Sequence, residues 1–279
     1  MTYQDYVGRS ETRTDTVWPL LVRGLAAALD LSDPGEALPP LWHWMLFQDW
    51  APASALGPDG HPRRGGFLPP VHDLPRRMWA GGRVSFLAPL RVGAAITRTS
   101  TIQSVEQKSG GSGALVFVTV RHDIAGPDGV AISEEQDIVY RGTGGAAVKP
   151  APAAPPPPQG AVVETVRPGA VLLFRYSALT GNGHRIHYDL DYVTREEGYP
   201  GLVVHGPLQA TLLAALAVRA APGGRLREFA YRGRRPAFHD RSLTLVAVAG
   251  SGTVKSGTVK VESRDDTGAV CMDGEARFG

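Results

Sequence analysis

The feature that most constrains this chain is a run of β-strand patterns that occurs twice, once in each half of its 279 residues. Apolar alternation between Gly- and Asp-containing turns predicts three consecutive antiparallel strands in each half. The predicted strands cover residues 96–106, 114–124, 130–140, 243–249, 254–263 and 269–278. Because a Pro-containing segment precedes each run, a duplicated α+β unit is the simplest interpretation.

A Pro- and Ala-rich segment at residues 144–160 separates the two halves. Proline cannot donate a ladder hydrogen bond and favours an extended polyproline conformation, so this segment is predicted to be a linker. We therefore predict a first unit over residues 1–143 and a second unit over residues 161–279.

One long helix is predicted in each half. In the first half the apolar residues recur at helical spacing, at Val17, Leu20, Leu21, Leu25 and Leu29. Asp15 is the predicted N-cap of that helix. Residues 205–220 form the second helix, which is apolar nearly all round and must be buried. A helix followed by antiparallel strands indicates a sheet wrapped around it.

The composition excludes several classes of partner and site. The chain has 29 basic and 27 acidic residues, and this balance does not favour nucleic acid or an anionic membrane as a partner. Its single cysteine, Cys271, permits no intramolecular disulfide. No apolar run approaches the ~20 residues of a membrane span. We expect a soluble cytoplasmic protein.

Reactive side chains are concentrated in the second half, and no comparable group is apparent in the first. Asn182, His184, His187 and Asp189 lie within residues 182–189, between a predicted strand and the buried helix. Histidine can take and give protons near neutral pH, so His187 or His184 is a candidate acid or base. An amide such as that of Asn182 can hold a water molecule without adding charge.

The start of the buried helix, at His205 and Gly206, supplies a second element of a site. Backbone N–H groups of a first turn have no intrahelical partner and can bind a thioester carbonyl that gains negative charge. The histidines here lack the helical spacing that preorganises zinc ligands, so no metal is expected. Ser177 lacks the Gly-x-Ser-x-Gly turn of a serine hydrolase.

The order of these residues resembles a known family. Residues 182–189 read Asn-Gly-His-Arg-Ile-His-Tyr-Asp, and residues 203–208 read Val-Val-His-Gly-Pro-Leu. They resemble the MaoC-like, or type 2, enoyl-thioester hydratases, in particular the branch of mesaconyl-C4-CoA (3-methylfumaryl-CoA) hydratases and 3-hydroxyacyl-thioester dehydratases. Residues 66–70, 75–82 and 135–141 resemble the amino-terminal unit of that branch.

The resemblance implies a double hot-dog fold, two tandem units that each wrap an antiparallel sheet around a helix, with a first unit that lacks the catalytic loop. It implies a hydro-lyase that adds or removes water across the α,β double bond of an acyl-CoA or acyl-carrier-protein thioester. His187 would be the acid/base, Gly206 the oxyanion donor, and Asn182 occupies the position of the family's catalytic aspartate. No cofactor is expected beyond the coenzyme A or phosphopantetheine of the substrate.

Other residues are assigned supporting roles. His184, Asp189 and His205 are expected to fix the loop or contact the substrate. Arg232 and Arg235 are candidates for the phosphates of the carrier, because guanidinium groups pair with phosphate in fork geometry. Arg76, Arg77 and Trp79 are either structural or near the far end of the acyl group. A homodimer is expected for such double units.

Two other functions compete with the hydro-lyase. A hot-dog thioesterase generally depends on an Asp or Glu near the central helix, and residues 205–220 contain no acidic residue. A non-catalytic acyl-thioester binding module would explain Asn182 but not the retention of His187.

Overall fold

The computed structural model describes residues 2–110, 113–142, 150–253 and 256–279. The strands of the first half are β1 (Ser10–Thr16), β2 (Arg76–Phe86), β3 (Ala95–Gly110), β4 (Gly113–Gly126) and β5 (Gly129–Arg141). Those of the second half are β6 (Val162–Val166), β7 (Leu226–Gly233), β8 (Leu243–Thr253), β9 (Ser256–Arg264) and β10 (Val270–Phe278).

The α-helices are α1 (Pro19–Ala28), α2 (Ala170–Thr180), α3 (Leu190–Arg195) and α4 (Gly206–Ala220). Short 3₁₀ turns cover Tyr3–Tyr6, Trp42–Met45, Ala53–Ala55 and Arg185–His187. Within the described ranges, no helix combines the length and the hydropathy that a membrane span requires.

All these strands join one antiparallel sheet in the order β1-β3-β4-β5-β2-β7-β10-β9-β8-β6. Read from its two edges, the sheet has the same strand order in each half, which is the duplication that the sequence predicts. The halves meet where β2 pairs with β7, with Val84 opposite Phe229. Gly81 allows this close approach, since a Cβ there would lie 2.5 Å from the Tyr231 carbonyl oxygen.

The six predicted strands correspond to β3, β4, β5, β8, β9 and β10, although residues 254 and 255 lie outside the described ranges. The predicted buried helix is α4, whose Leu208, Leu213 and Leu216 are fully buried. The predicted cap at Asp15 is wrong. Asp15 lies in β1 and accepts hydrogen bonds from the Phe47 backbone N–H (2.6 Å) and the Trp18 indole (2.9 Å). Helix α1 begins after Trp18, with Pro19 at its first position.

In the second unit a long helix packs against the sheet. Helix α4 contacts β7, β8, β9 and β10, whereas α1 contacts α2. Between α1 and β2, where every residue is described, the first unit contains only the 3₁₀ turns Trp42–Met45 and Ala53–Ala55. The first of these turns lies against the sheet, because His43 and Trp44 bond to Glu134 of β5. The expected wrapped helix is therefore replaced there by a short turn.

Residues 143–149 of the predicted linker lie outside the described ranges, and residues 150–160 are without regular structure. The latter pack on the second unit, since Ala154 N donates to the Gly268 carbonyl (2.8 Å) and Arg264 donates to that of Pro155 (2.7 Å). The domain boundaries proposed on either side of the linker remain a prediction.

The interior of the first unit contains a buried carboxylate that accepts several hydrogen bonds. Glu134 is 2% exposed and receives hydrogen bonds from His43 (3.0 Å), Trp44 (2.8 Å) and Gln136 (3.0 Å). Burial alone would raise the pKa of Glu134, but the bond and charge of His43 outweigh it and keep that pKa below its ordinary value. The carboxylate therefore stays ionised and satisfied in the core.

Replacing Glu134 with Ala should lower the free energy of unfolding by about 3–5 kcal/mol, because the donors on His43 and Trp44 lose their acceptor in a buried site. Glu135→Ala is the matched control, since the Glu135 side chain is 42% exposed on the opposite face of β5 and pairs with Arg83 at 2.8 Å. The control should lose less than about 1 kcal/mol. Urea denaturation of both variants measures the difference, and equal losses would contradict this account.

Candidate active site

The candidate loop follows a helix, not the strand that the sequence predicted. Helix α2 ends at Gly181, which has a φ of +62° and so adopts the left-handed conformation that glycine favours. The Asn182 backbone N–H then donates to the Ser177 carbonyl at 2.9 Å, which closes the C-terminal turn. The helix end thus determines where Asn182 begins the loop.

His187 is held by one backbone carbonyl. It is 7% exposed, and its Nδ1 lies 2.7 Å from the Val203 carbonyl oxygen. A carbonyl can only accept, so Nδ1 must carry the hydrogen. In the neutral ring Nε2 is then the unprotonated nitrogen, available to accept a proton.

Val203 is itself fixed from both sides. Its backbone N–H donates to the Ile186 carbonyl (2.9 Å), and it forms a β-bridge with Phe238. Burial lowers the pKa of His187 to about 4, despite the opposing effect of the bond to Val203. His187 is therefore a neutral imidazole at physiological pH, in the state that a general base requires.

The ring of His205 stacks on that of His187, with centroids 3.7 Å apart and an interplanar angle of 21°. His205 is fully buried, its Nε2 lies 2.9 Å from Ser177 Oγ, and Tyr176 packs against it. Burial lowers its pKa well below the ordinary value. His205 thus packs nearly flat against the His187 ring and holds that ring in position.

Asn182 forms a local turn with its own loop. Its Oδ1 accepts the backbone N–H of His184 at 3.0 Å. Because Oδ1 already accepts this hydrogen bond, the NH₂ group of Asn182 is the part of the amide that can donate to another acceptor, such as a water oxygen. The His184 ring packs against His187 at 5.5 Å between centroids, and burial lowers the pKa of His184 to about 2.

Asp189 has a structural position in the loop. Its Oδ1 caps α3 by accepting the Tyr192 backbone N–H at 3.0 Å, and its Oδ2 pairs with Arg185 at 2.8 Å. Both contacts fix the 3₁₀ turn Arg185–His187 relative to α3. They account for Asp189 without any contact to a reacting molecule.

Gly206 is the first residue of α4 and has no intrahelical acceptor for its N–H. A Cβ at Gly206 would meet only the Met272 Cε, at 3.9 Å. His205, which stacks on His187, is the N-cap of this helix. The helix start therefore lies one residue from the histidine pair and has room beside it.

The predicted arginines lie on the second unit, near the segment that holds Val203. Arg232 is exposed on β7, and Arg235 is half-buried with its Nε 3.6 Å from Asp265. Arg235 lines a cavity of about 190 Å³ together with Arg241 and Phe238. Arg76 pairs with Glu197 at 3.1 Å and so connects β2 to the end of α3.

The first half also contributes two side chains beside the loop that the sequence analysis does not single out. Asp59 and His61 lie next to the loop, with their side chains 3.0 Å apart and the His61 ring 4.2 Å from that of His184. The sequence around them is rich in Pro and Gly and has no helical or strand periodicity. The Asp-x-His pair was the available sequence signal.

Asp59, His61 and His184 also have ligand atoms within 4.8 Å of one another, so these three residues could hold a metal ion. Two imidazoles and one carboxylate are a donor set that divalent transition metals accept. The expectation of no metal remains a prediction.

The hydroxyacyl-thioester dehydratase type 2 family matches residues 41–239. The chain belongs to this family. It is also 44% identical to the mesaconyl-C(4)-CoA hydratase of Chloroflexus aurantiacus, over 98% of this chain and 97% of that protein. As a member of the family, the protein is an enzyme of the hydratase and dehydratase class.

Two solved structures from Mycobacterium tuberculosis have the same fold as this family member. HtdX matches with a TM-score of 0.68 at 17% identity, over 97% of this chain and all of that one. A second protein, described as a double hot-dog, matches with a TM-score of 0.57 at 15% identity, over 100% and 98% of the two chains. The predicted double hot-dog fold is confirmed.

The tautomer and pKa of His187 can be measured directly. Heteronuclear NMR of the histidine rings should report a hydrogen on Nδ1 and a titration midpoint near pH 4 for His187. Burial causes this displacement, because it disfavours the charged ring. A midpoint near the ordinary histidine value of about 6.5, or a hydrogen on Nε2, would contradict the geometry described.

Proposed function

We propose that this enzyme adds water across the α,β double bond of an acyl-CoA thioester, with mesaconyl-C4-CoA as the first candidate substrate. The observation that carries the proposal is the neutral, buried His187 with Nε2 directed away from its carbonyl partner. The substrate is suggested by the name of the 44% identical relative. The reverse reaction, dehydration of a 3-hydroxyacyl thioester, uses the same groups.

In the forward direction His187 Nε2 takes a proton from water while the water oxygen bonds to the β-carbon. The NH₂ group of Asn182 donates to that oxygen and orients it, since Asn182 Oδ1 is already engaged with His184. Electrons of the double bond move toward the thioester carbonyl. The Gly206 N–H, with the dipole of α4, stabilises the oxygen on which this charge develops.

For carrier recognition we propose that Arg235 and the exposed Arg232 meet the phosphates of coenzyme A or of a carrier phosphopantetheine. Arg235 Nε and Nη1 are buried and make no hydrogen bond within the part of the chain that the structure describes. They border a cavity that Phe238 also lines, and Phe238 forms a β-bridge with Val203. A phosphate oxygen would satisfy these donors.

We also propose a cytoplasmic homodimer. The one cysteine, Cys271, is buried and unpaired, which suits a reducing compartment. Helices α1 and α2 pack together and expose apolar side chains, of which Leu20 is 71%, Val171 73% and Phe174 62% exposed. Such a patch is typical of a contact surface. Sedimentation analysis should find a dimer, and a monomer at all concentrations would refute this part.

Replacing His187 with Ala should lower kcat by about 10²-fold or more, because a positioned acid or base contributes that much to proton transfer. Loss of absorbance of the enoyl-thioester band, with no release of free thiol, measures the reaction. His72→Ala is the control, since His72 is exposed in the first unit. A His187→Ala enzyme with the wild-type rate would remove His187 from the mechanism.

The oxyanion role is tested with two substitutions at Gly206. Pro is tolerated at the first position of a helix, and His205 already has the extended conformation that precedes proline (φ −55°, ψ 134°). Gly206→Pro removes the N–H and should lower kcat by about 10²-fold or more. Gly206→Ala keeps the N–H and should retain most of the activity. Equal effects of the two substitutions would show that crowding, not the lost donor, is responsible.

A further inference from the structure

The loop of the first unit that contains Asp59 packs against the active-site loop of the second unit. The Arg185 backbone N–H donates to the Asp59 carbonyl (2.9 Å), and the Arg185 side chain donates to the Pro58 carbonyl (2.9 Å). Gly60 has a φ of +88°, and a Cβ there would lie 2.0 Å from the Gly183 carbonyl oxygen. This contact leaves no room for any other residue, so the two loops are fitted to each other.

The docked loop brings an oriented histidine to the site. Both Asp59 carboxylate oxygens bond to His61: Oδ2 lies 3.0 Å from its Nδ1, and Oδ1 accepts its backbone N–H at 3.1 Å. This is the geometry in which a carboxylate fixes an imidazole and leaves Nε2 for chemistry. The His61 ring rests on His184, which in turn contacts His187.

Hydration of a double bond requires two proton transfers, one from water and one to the α-carbon. His187 can accept the first. Asn182 has no titratable proton, and burial keeps His184 neutral with a pKa of about 2. Asp189 is engaged with α3 and Arg185. His205 is buried, its pKa lies well below the ordinary value, and its Nε2 contacts Ser177. Within the described part of the chain, His61 is then the remaining histidine in contact with this group.

We propose that His61, oriented by Asp59, is a second catalytic residue that donates the proton to the α-carbon. This inference rests on the proposed function. As the water O–H bond breaks toward His187 Nε2, oxygen bonds to the β-carbon and the π electrons move to the thioester carbonyl oxygen. These electrons then return to the α-carbon and form the new C–H bond, while the N–H bond at His61 Nε2 breaks and leaves its electron pair on the nitrogen. The proton gained by His187 returns to His61 through solvent before the next turnover.

The same three residues, Asp59, His61 and His184, could instead bind a divalent cation. The hydrogen bonds favour the acid/base pair, because both carboxylate oxygens of Asp59 are already directed at His61. Burial opposes ionisation of Asp59, but the bond and charge of His61 outweigh it and hold the pKa of Asp59 well below its usual range. The Asp59 carboxylate is thus ionised and can accept the hydrogen on His61 Nδ1.

The test is kcat and KM for His61→Gln beside His72→Gln, the same substitution at an exposed histidine of the same unit. His61→Gln should lower kcat by about 10²-fold, because a positioned acid contributes that much to proton transfer, and should leave KM largely unchanged. Asp59→Asn, a second variant that keeps the size of the side chain, should lower kcat by about 10-fold or more. His72→Gln should match the wild type in both respects.

Three results would overturn the proposal. A His61→Gln enzyme with the wild-type kcat would remove His61 from proton transfer. One equivalent of metal in the purified wild-type protein, lost in His61→Gln, would make the trio a metal site. Wild-type protein that hydrates none of the enoyl thioesters would refute the proposed function and, with it, the role of His61. If the wild type is active and His61→Gln is equally active, only the role of His61 is refuted.

Discussion

The hydrogen bond between His187 Nδ1 and the Val203 carbonyl is the interaction on which the site depends. It selects the tautomer, because the carbonyl cannot donate, and it aims Nε2 away from the chain that holds the ring. The fold supplies this carbonyl through a short segment fixed to Ile186 on one side and Phe238 on the other. Burial then keeps the ring neutral and ready to accept a proton.

The two units depend on each other in a way that a simple duplication does not require. The first has a 3₁₀ turn where the second has α4, and its core is organised around the ionised Glu134. The segment before β2 does not form a long helix. It extends to the second unit, where it contacts Gly183 and Arg185. Its contribution to the site is therefore direct contact, not only a shared sheet.

Much of the fold followed from the sequence, because periodicity and turn residues report local structure. The six meander strands and α4 were predicted from such patterns, while β1, β2, β6 and β7 were missed. Asn182, His187 and Gly206 were singled out by their grouping in the chain and by their resemblance to the motif of the family. Asp59 and His61 were not, since they lie more than a hundred residues from His187 and only tertiary packing joins them. Asp15 does not cap α1, because its carboxylate accepts a tertiary hydrogen bond from the Phe47 backbone N–H.

The central claim is that water is added to the double bond and the thioester survives. The most direct measurement is mass spectrometry of the product formed from mesaconyl-C4-CoA in heavy-oxygen water. The account predicts one heavy oxygen in a hydroxyl group of an intact CoA thioester, incorporated at least about 10²-fold more slowly by His187→Ala. Heavy oxygen in a released carboxylic acid, together with free CoA, would contradict it and identify thioester hydrolysis instead.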